Sequence, residues 1–404
     1  MAIQKKNYAV VARTSSGVHL GTWPDFDFRG FTKQLNGGLG ECVITLPRTF
    51  DDGSSDLTRN NEIEIRVSDK DTLSQDALEM ASTRIVYLGY VSLVEREITD
   101  GEEFLTVHCL GYWTKLAADF LKDGSQTTLY SNNAAGLTTT EGSQDAADVG
   151  DMARAVIDRY AAETTDPKVT YVDDSVPDAG VDATYRFEQK TYKDALDALK
   201  NLAPANTYWY VGEDGILHFK QIPETPTHTF VFDRHFRSVR VRQSMEKVRN
   251  VLLLWNGDTG SPIYKAYEDA VSIEKFGRRG TAVYEYGIDD TGAADAFGAK
   301  FLSENAKENL QIICTIIDNN GSEDMGYDIE SIQPGDTCRF LGFDPDFDEI
   351  FRDNMVITSV QYSPSQAVIQ VELVRSGLIE SNEQSRNRIA EIQSGILTVP
   401  ETYS

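Results

Sequence analysis

Polar and apolar residues alternate along Glu62-Ile-Glu-Ile-Arg-Val, which predicts a β-strand with one wet face. Tyr8-Ala-Val-Val-Ala, Cys42-Val-Ile-Thr-Leu, Arg84 to Val91 and Phe104 to Leu110 read as further strands. Asp51-Asp-Gly-Ser-Ser and Thr99-Asp-Gly mark turns between them. Short strands at close spacing predict a small barrel or sandwich over residues 1–118.

The period changes over residues 119–222. A Ser-, Thr-, Asn- and Gly-rich stretch from Asp123 to Gly142 is expected as a loop. Val149, Met152, Ala153, Val156, Ile157 and Tyr160 then follow helical spacing, with Ser143 or Asp145 as the expected cap. A second helix is expected from Thr191, with Asp194 three residues on, Ala195, Leu196, Leu199 and Leu202 inward, and Pro204 as its stop. Thr207 to Val211, a Gly212-Glu-Asp-Gly turn and Ile216 to Lys220 predict a hairpin. Together these form a small α/β module.

Residues 223–376 return to β character. Val248 to Trp255 and Gln311 to Ile317 predict strands, with a helix between them marked by Ala294, Phe297, Phe301, Leu302 and Leu310. Gln333-Pro-Gly-Asp fits a type II turn. Asn354 to Tyr362 and Ala367 to Val374 predict a hairpin around Ser363-Pro-Ser. Residues 377–404 are polar apart from Leu378, Ile379, Ile389, Ile392 and Ile396, and are expected as a docking helix or a frayed tail. The run from Ile85 to Leu116 and the run from Val356 to Leu378 share a strand–turn–strand–Gly order. That echo has two readings: the general likeness of hairpins, or two related β domains flanking the α/β module. The expected fold class is therefore mainly β with an α+β insertion. Its domains are residues 1–118, 119–222, 223–376 with a further insertion, and a C-terminal segment at 377–404.

Composition narrows the function classes. The 404 residues carry 64 acidic and 38 basic side chains, a formal charge of −26 spread along the chain. Such a surface repels phosphate, which argues against wrapping nucleic acid or lying on an anionic membrane. No window has the run of about 18 apolar residues that a membrane helix requires, so no membrane anchor is expected. The N-terminal stretch lacks the apolar core of a secretory signal. Cys42, Cys109, Cys314 and Cys338 each sit in an apolar strand-like run and form no CxxC pair, so buried free thiols are expected.

Candidate chemistry is sparse. No HExxH, GxSxG, Walker A or GxGxxG pattern occurs. Of His19, His108, His218, His228 and His235, none pairs with another at helical spacing, and no metal or cofactor is expected. Asp344-Pro-Asp-Phe-Asp begins like a calcium loop but has Glu349 where Gly is needed and Met355 where Glu is needed. One basic run interrupts the acid: Arg234, Arg237, Arg240, Arg242, Lys247 and Arg249. Arg240 and Arg242 share one strand face. The readings are an inter-subunit charged surface or internal ion pairing with nearby acids, with DNA binding third.

The string TYKDALDALKNLAPANTYWYVGEDGILHFKQIP, followed by VRNVLLLWNG, resembles the baseplate hub proteins at the distal end of phage tails. The matching positions are Tyr192, Ala195, Leu196, Leu199, Tyr208, Asp214, Gly215, Leu217, Phe219, Asn250 and Val251. Leu20-Gly-Thr-Trp-Pro to Phe31 and Leu35-Asn-Gly-Gly-Leu-Gly-Glu-Cys-Val-Ile-Thr-Leu-Pro resemble the first tube strands of such hubs, and Pro334-Gly-Asp-Thr a turn in their second barrel. In order and size the resemblance covers about residues 1–378.

The resemblance implies two tube-type β domains per chain and a homotrimer whose six barrels continue the tail tube. It implies a structural, non-enzymatic protein of the virion tail tip, made in the host cytoplasm. Its expected partners are tail tube or distal tail proteins, the tape-measure protein and tip or fibre proteins, with DNA passing through unbound. The segment from Ser376 onward is expected to dock a tip protein. Two rival functions remain: a tail-associated cell-wall hydrolase using distant carboxylates, and an acidic carbohydrate-binding adhesin using Trp23, Trp113 or Trp209. For these tryptophans core packing is the competing role.

Overall fold

A computed structural model describes residues 7–23, 26–47, 57–68, 83–99, 102–121, 147–183, 187, 190–204, 206–255, 263–284, 291–307, 309–317, 327, 329–342, 355–363 and 368–375. The loop expected over 123–142, the acidic turn at 344–349 and the segment from 376 lie outside these residues.

The fold is mainly β. The N-terminal strands are β1 (Asn7–Arg13), β2 (His19–Trp23), β3 (Asp27–Gln34), β4 (Gly37–Pro47), β5 (Glu62–Ser68), β6 (Arg84–Thr99) and β7 (Glu102–Gly111), followed by helix α1 (Trp113–Ala118). The middle of the chain forms β8 (Ala147–Asp148), α2 (Val149–Glu163), β9 (Asp182–Ala183), α3 (Tyr192–Leu202), β10 (Thr207–Val211) and β11 (Leu217–Gln221). Then come β12 (His228–Val231), β13 (Phe236–Ser244), β14 (Val251–Trp255), β15 (Tyr264–Glu268), α4 (Ala270–Phe276), β16 (Gly280–Tyr284) and α5 (Thr291–Asn305). The chain closes with β17 (Asn309–Ile317), β18 (Thr337–Leu341), β19 (Met355–Ser363) and β20 (Val368–Arg375). Leu310, expected on the helix, lies instead in β17, because α5 ends at Asn305 and Leu310 pairs with Gln243 of β13.

Among the described residues, fifteen strands join one hydrogen-bonded network whose main path runs β13-β17-β20-β19-β3-β4-β7-β6-β5-β1-β2. The early and late strands meet at β19 and β3, where Ser359 pairs with Gln34 and Tyr362 with Phe31. One apolar cluster accordingly draws on both ends of the chain, from Val10, Ile44, Ile63 and Val107 to Phe230, Cys314, Ile357 and Tyr362. All four cysteines are buried free thiols. Burial pushes their pKa values up, so they behave as small apolar groups.

The middle segment has its own core. α2 buries Val149, Met152, Ala153, Val156, Ile157 and Tyr160, and α3 buries Tyr192, Ala195, Leu196 and Leu199. They pack with Trp209, Val211, Leu217 and Phe219 of the β10–β11 hairpin. α3 begins with a capping box, as its sequence predicts: the Thr191 side chain accepts from the Asp194 N–H, and Asp194 accepts from the Thr191 N–H. α2 is capped by Asp148 and not by Ser143 or Asp145, because the helix begins only at Val149. Asp148 Oδ1 accepts from Gly150 N–H at 2.7 Å.

Two further differences have physical causes. The polar face of β5 is not wet: Glu62 and Glu64 are buried. Glu64 accepts from Arg13 at 2.7 Å and Arg66 at 2.6 Å, while Glu62 accepts from the Tyr112 hydroxyl at 2.9 Å. Partners from other elements cover carboxylates that a strand pattern alone places in solvent. Second, the run from Val248 to Trp255 yields β14 of a separate three-stranded sheet, ordered β15-β14-β16, backed by α5.

Candidate assembly interface

Two strands end the main path among the described residues, β13 and β2. A path-ending strand carries unpaired N–H and C=O groups on one side, which another chain can extend. In β13 the side chains alternate: Val239 and Val241 are half-buried and pack on the large apolar cluster, while Arg240 and Arg242 are exposed on the other face. The basic run is thus divided by the fold. Arg240 and Arg242 stand together on the strand that ends the path. Arg249 turns back on its own loop, donating to the carbonyls of Glu246 at 2.9 Å and Val248 at 2.8 Å. Arg234 precedes the strand in an exposed turn, and Arg237 lies within β13 near its start. The β2 strand is uncharged apart from His19 and ends in the buried Trp23.

Elsewhere in the fold lies a junction that no single motif predicts. The Asn36 side chain accepts from the Trp209 N–H at 3.1 Å, and Asn36 N–H donates to the Trp209 carbonyl at 2.6 Å. Tyr210 and Val211 then pair in parallel with Gly37 and Gly38. The Pro334-Gly335 turn closes on the other side: Gly335 N–H donates to Ile357 O at 2.8 Å. Leu35, Tyr208, Tyr210, Ile222 and Val356 form a buried cluster between them. Three stretches far apart in sequence therefore meet around the β10–β11 hairpin.

Charged and polar groups reinforce this junction. Arg84 donates to Glu330 Oε2 at 2.7 Å, and the Tyr362 hydroxyl donates to Glu330 Oε1 at 3.2 Å. Tyr362 and Tyr8 hydroxyls are hydrogen-bonded to each other. Lys33 reaches Glu213 and Gln333, both at 3.3 Å. The cavity among Lys33, Arg84, Glu213, Glu330 and Tyr362 measures about 10 Å³, room for about one water molecule.

His228 and His108 each approach two hydrogen-bonding side chains, whereas the buried Nδ1 of His218 has no hydrogen-bond partner among the described residues. His228 Nδ1 lies 2.8 Å from the Tyr327 hydroxyl and Nε2 lies 2.8 Å from Asp336 Oδ2, beneath the Gln333–Asp336 turn. His108 lies 2.8 Å from Glu41 and 3.4 Å from Glu95; its bond to Glu41 holds its pKa above the ordinary value. His218 stacks on Tyr210 at 4.6 Å, and burial lowers its pKa. Among the described residues, no group of three or more His, Cys, Asp or Glu could hold a metal ion. Among the described residues, no helix is long and apolar enough to cross a membrane. Trp23 and Trp209 are buried, and Trp113 donates its indole N–H to Leu39 O at 2.8 Å.

No protein-family model matches the sequence, nor does any curated protein. Solved structures do match. The 43 kDa tail protein of prophage MuSo2 from Shewanella oneidensis superposes with a TM-score of 0.60 at 12% identity, covering 92% of this chain and 99% of its own. A tail protein from Neisseria meningitidis MC58 gives 0.58 at 13%, covering 92% and 98%. Prophage tail protein gp18 from Listeria monocytogenes EGD-e gives 0.54 at 11%, covering 95% and 99%. Over nearly the whole of each partner, this chain has the fold of prophage and bacterial tail proteins.

Proposed function

We propose that this protein is a structural component of a phage tail tip, a hub whose trimeric ring continues the tail tube and passes DNA. The observation that carries the reading is the fold likeness to three tail proteins, each covered over at least 98% of its length. Residues 1–118 and 223–376 supply the two tube-type β domains and residues 119–222 the module between them. The ring closes by pairing of the β13 edge in one copy with the β2 edge of the next, a head-to-tail contact that uses both path-ending strands. Arg240 and Arg242 flank that contact and meet acidic groups of the adjoining copy. With a net charge of −26, an acidic channel wall repels phosphate and lets DNA slide through without sticking. The work is mechanical and non-enzymatic, and the partners are tube, tape-measure and tip or fibre proteins.

Light scattering at moderate salt tests this, with negative-stain images of the same peak. The expected result is a ring of about 135 kDa, three chains of 45.0 kDa each. Replacing both Arg240 and Arg242 by Glu should yield monomers with unchanged thermal unfolding. A monomer that forms no ring even when mixed with the tail tube protein would sink the hub reading. Peptidoglycan turnover or glycan binding by that monomer would revive the hydrolase or the adhesin.

A further inference from the structure

Lys33, Glu213 and Gln333 close a triangle of hydrogen bonds. Lys33 Nζ donates to Glu213 Oε2 and to Gln333 Oε1, both at 3.3 Å, and Gln333 Nε2 donates to Glu213 Oε1 at 3.0 Å. An ammonium only donates and a carboxylate only accepts, so the amide must turn its oxygen to the lysine and its nitrogen to the glutamate. The three corners come from β3, the β10–β11 turn and the Gln333–Asp336 turn. The Lys33 side chain is 9% exposed and that of Glu213 25%. An ion pair needs only Lys33 and Glu213. The amide adds an electrophilic carbon beside the amine, with its nitrogen already on a carboxylate that can protonate it.

The backbone holds all three groups in place. Lys33 pairs with Val360 of β19. Around Glu213, Gly212 N–H donates to Ile216 O at 3.0 Å and Gly215 N–H to Gly212 O at 3.1 Å. Gln333 N–H donates to Asp336 Oδ2 at 2.9 Å. The amide carbon Cδ lies about 1.23 Å from Oε1, which puts it at most about 4.5 Å from Lys33 Nζ. A shift of about 1 Å in the lysine side chain reaches the separation of about 3–3.5 Å from which two held groups react. The cavity that Lys33 and Glu213 help to line has room for about one water molecule, and therefore for a departing ammonium ion of similar size.

We propose that Lys33 and Gln333 join in an intramolecular isopeptide bond, with Glu213 as the catalytic acid and base. Glu213 takes a first proton from the Lys33 ammonium. The freed Nζ lone pair attacks Gln333 Cδ, and the C=O π pair moves onto Oε1. A second proton passes from Nζ to Glu213, which hands both protons to Nε2. The Oε1 pair re-forms the carbonyl, the Cδ–Nε2 bond breaks and the nitrogen leaves as ammonium. Glu213 ends as the carboxylate it began as, and the step is redox-neutral. The bond ties β3 to the turn before β18, 300 positions apart, at the junction of early and late strands. It does not depend on the hub reading and forms in the isolated full-length chain.

Intact and tryptic mass spectrometry of the full-length protein, held for a day at physiological temperature, tests the bond. The expected mass is lighter than the sequence by one ammonia, with a joined peptide that contains Lys33 and Gln333 and is uncut after Lys33. Glu213→Gln should form the bond roughly a hundredfold more slowly. Lys33→Arg, which keeps the cation, should retain the full mass. Circular dichroism checks that both variants keep the parent fold. If Glu213→Gln does not fold, the joined peptide in the parent and its absence from Lys33→Arg decide the matter. A parent of full sequence mass would overturn the proposal. So would loss of ammonia with Lys33 still cleaved, which is the signature of a succinimide at a step such as Asn256-Gly257. Bond formation at the parent rate in folded Glu213→Gln would overturn the mechanism.

Discussion

Arg84 and Glu330, 246 positions apart in sequence, form a 2.7 Å ion pair that ties β6 to the turn before β18. The Glu330 side chain is only 3% exposed, whereas that of Arg84 is 49% exposed. Removing the exposed partner strands a buried carboxylate, which is costlier than losing the pair. Arg84→Ala should destabilise by about 2 kcal/mol, a value reduced for the solvent around Arg84 and for the remaining bond from Tyr362. The Arg84→Ala/Glu330→Leu double variant should recover part of that loss in urea unfolding. Simple additivity of the two single variants would show that the pair does not couple the early and late strands.

The Gly335 turn supports the β10–β11 hairpin by close approach. Gly335 has φ +92°, and a Cβ there would stand 2.2 Å from the ring of the buried Tyr208. Gly17 has φ +87° with open space around it. Gly17→Ala should cost about 1 kcal/mol for backbone strain alone. Gly335→Ala should cost a further 1–3 kcal/mol or so, because the ring has no room to move. Chemical denaturation of the two variants measures the difference, and equal losses would remove Tyr208 from the account.

Asp148 joins a helix to loop residues 31 and 32 positions further on. Besides Gly150 it accepts from the Ala179 and Gly180 N–H groups, both at 2.8 Å. Burial pushes its pKa up, but hydrogen bonds from Ala179, Gly150, Gly180 and Asp151 together outweigh this and hold it below the ordinary carboxylate value. The folded pKa is depressed, so the stabilisation is complete above the unfolded value of about 3.9 and fades as pH falls through the folded one. Asp148→Ala should cost about 2 kcal/mol at pH 7. The gap between variant and parent should narrow below pH 4 in thermal scans.

His108 gives the opposite sign. Its bond to Glu41 raises the folded pKa against the opposing cost of partial burial, and Glu95 adds to the rise. Its contribution is full below about pH 6.5 and is lost as pH rises through the folded value. The side chain is largely solvated, so the effect is small and screened by salt. The melting temperature of the parent minus that of His108→Gln should be larger at pH 6 than at pH 8, and more so at low ionic strength.

Local patterns carried a good part of the fold. The capping box at Thr191 and Asp194, the inward stripe of α2 and the alternation in β13 each depend on neighbours a few residues away, and the structure contains all three. The Gln333–Asp336 turn is likewise present, with the Asp336 N–H donating to Gln333 O. Trp209 was legible as an apolar strand residue but not as the partner of Asn36, 173 positions earlier.

The small sheet shows the limit most clearly. Its strands β15 and β16 are short and alternate with exposed residues, so they carry little signal beside the strong apolar run of β14. The burial of Glu62 and Glu64 was equally invisible, since it depends on Arg13, Tyr112 and Lys168 arriving from other elements. The division of the basic run belongs to the same class. Sequence placed Arg240 and Arg242 on one face of a strand, whereas the strand's position at the end of the sheet path follows from which strands pair. Periodicity fixes which way a side chain points relative to its own backbone. What then covers that side chain is decided by segments distant in sequence, through packing and charge pairing that only the folded chain brings together.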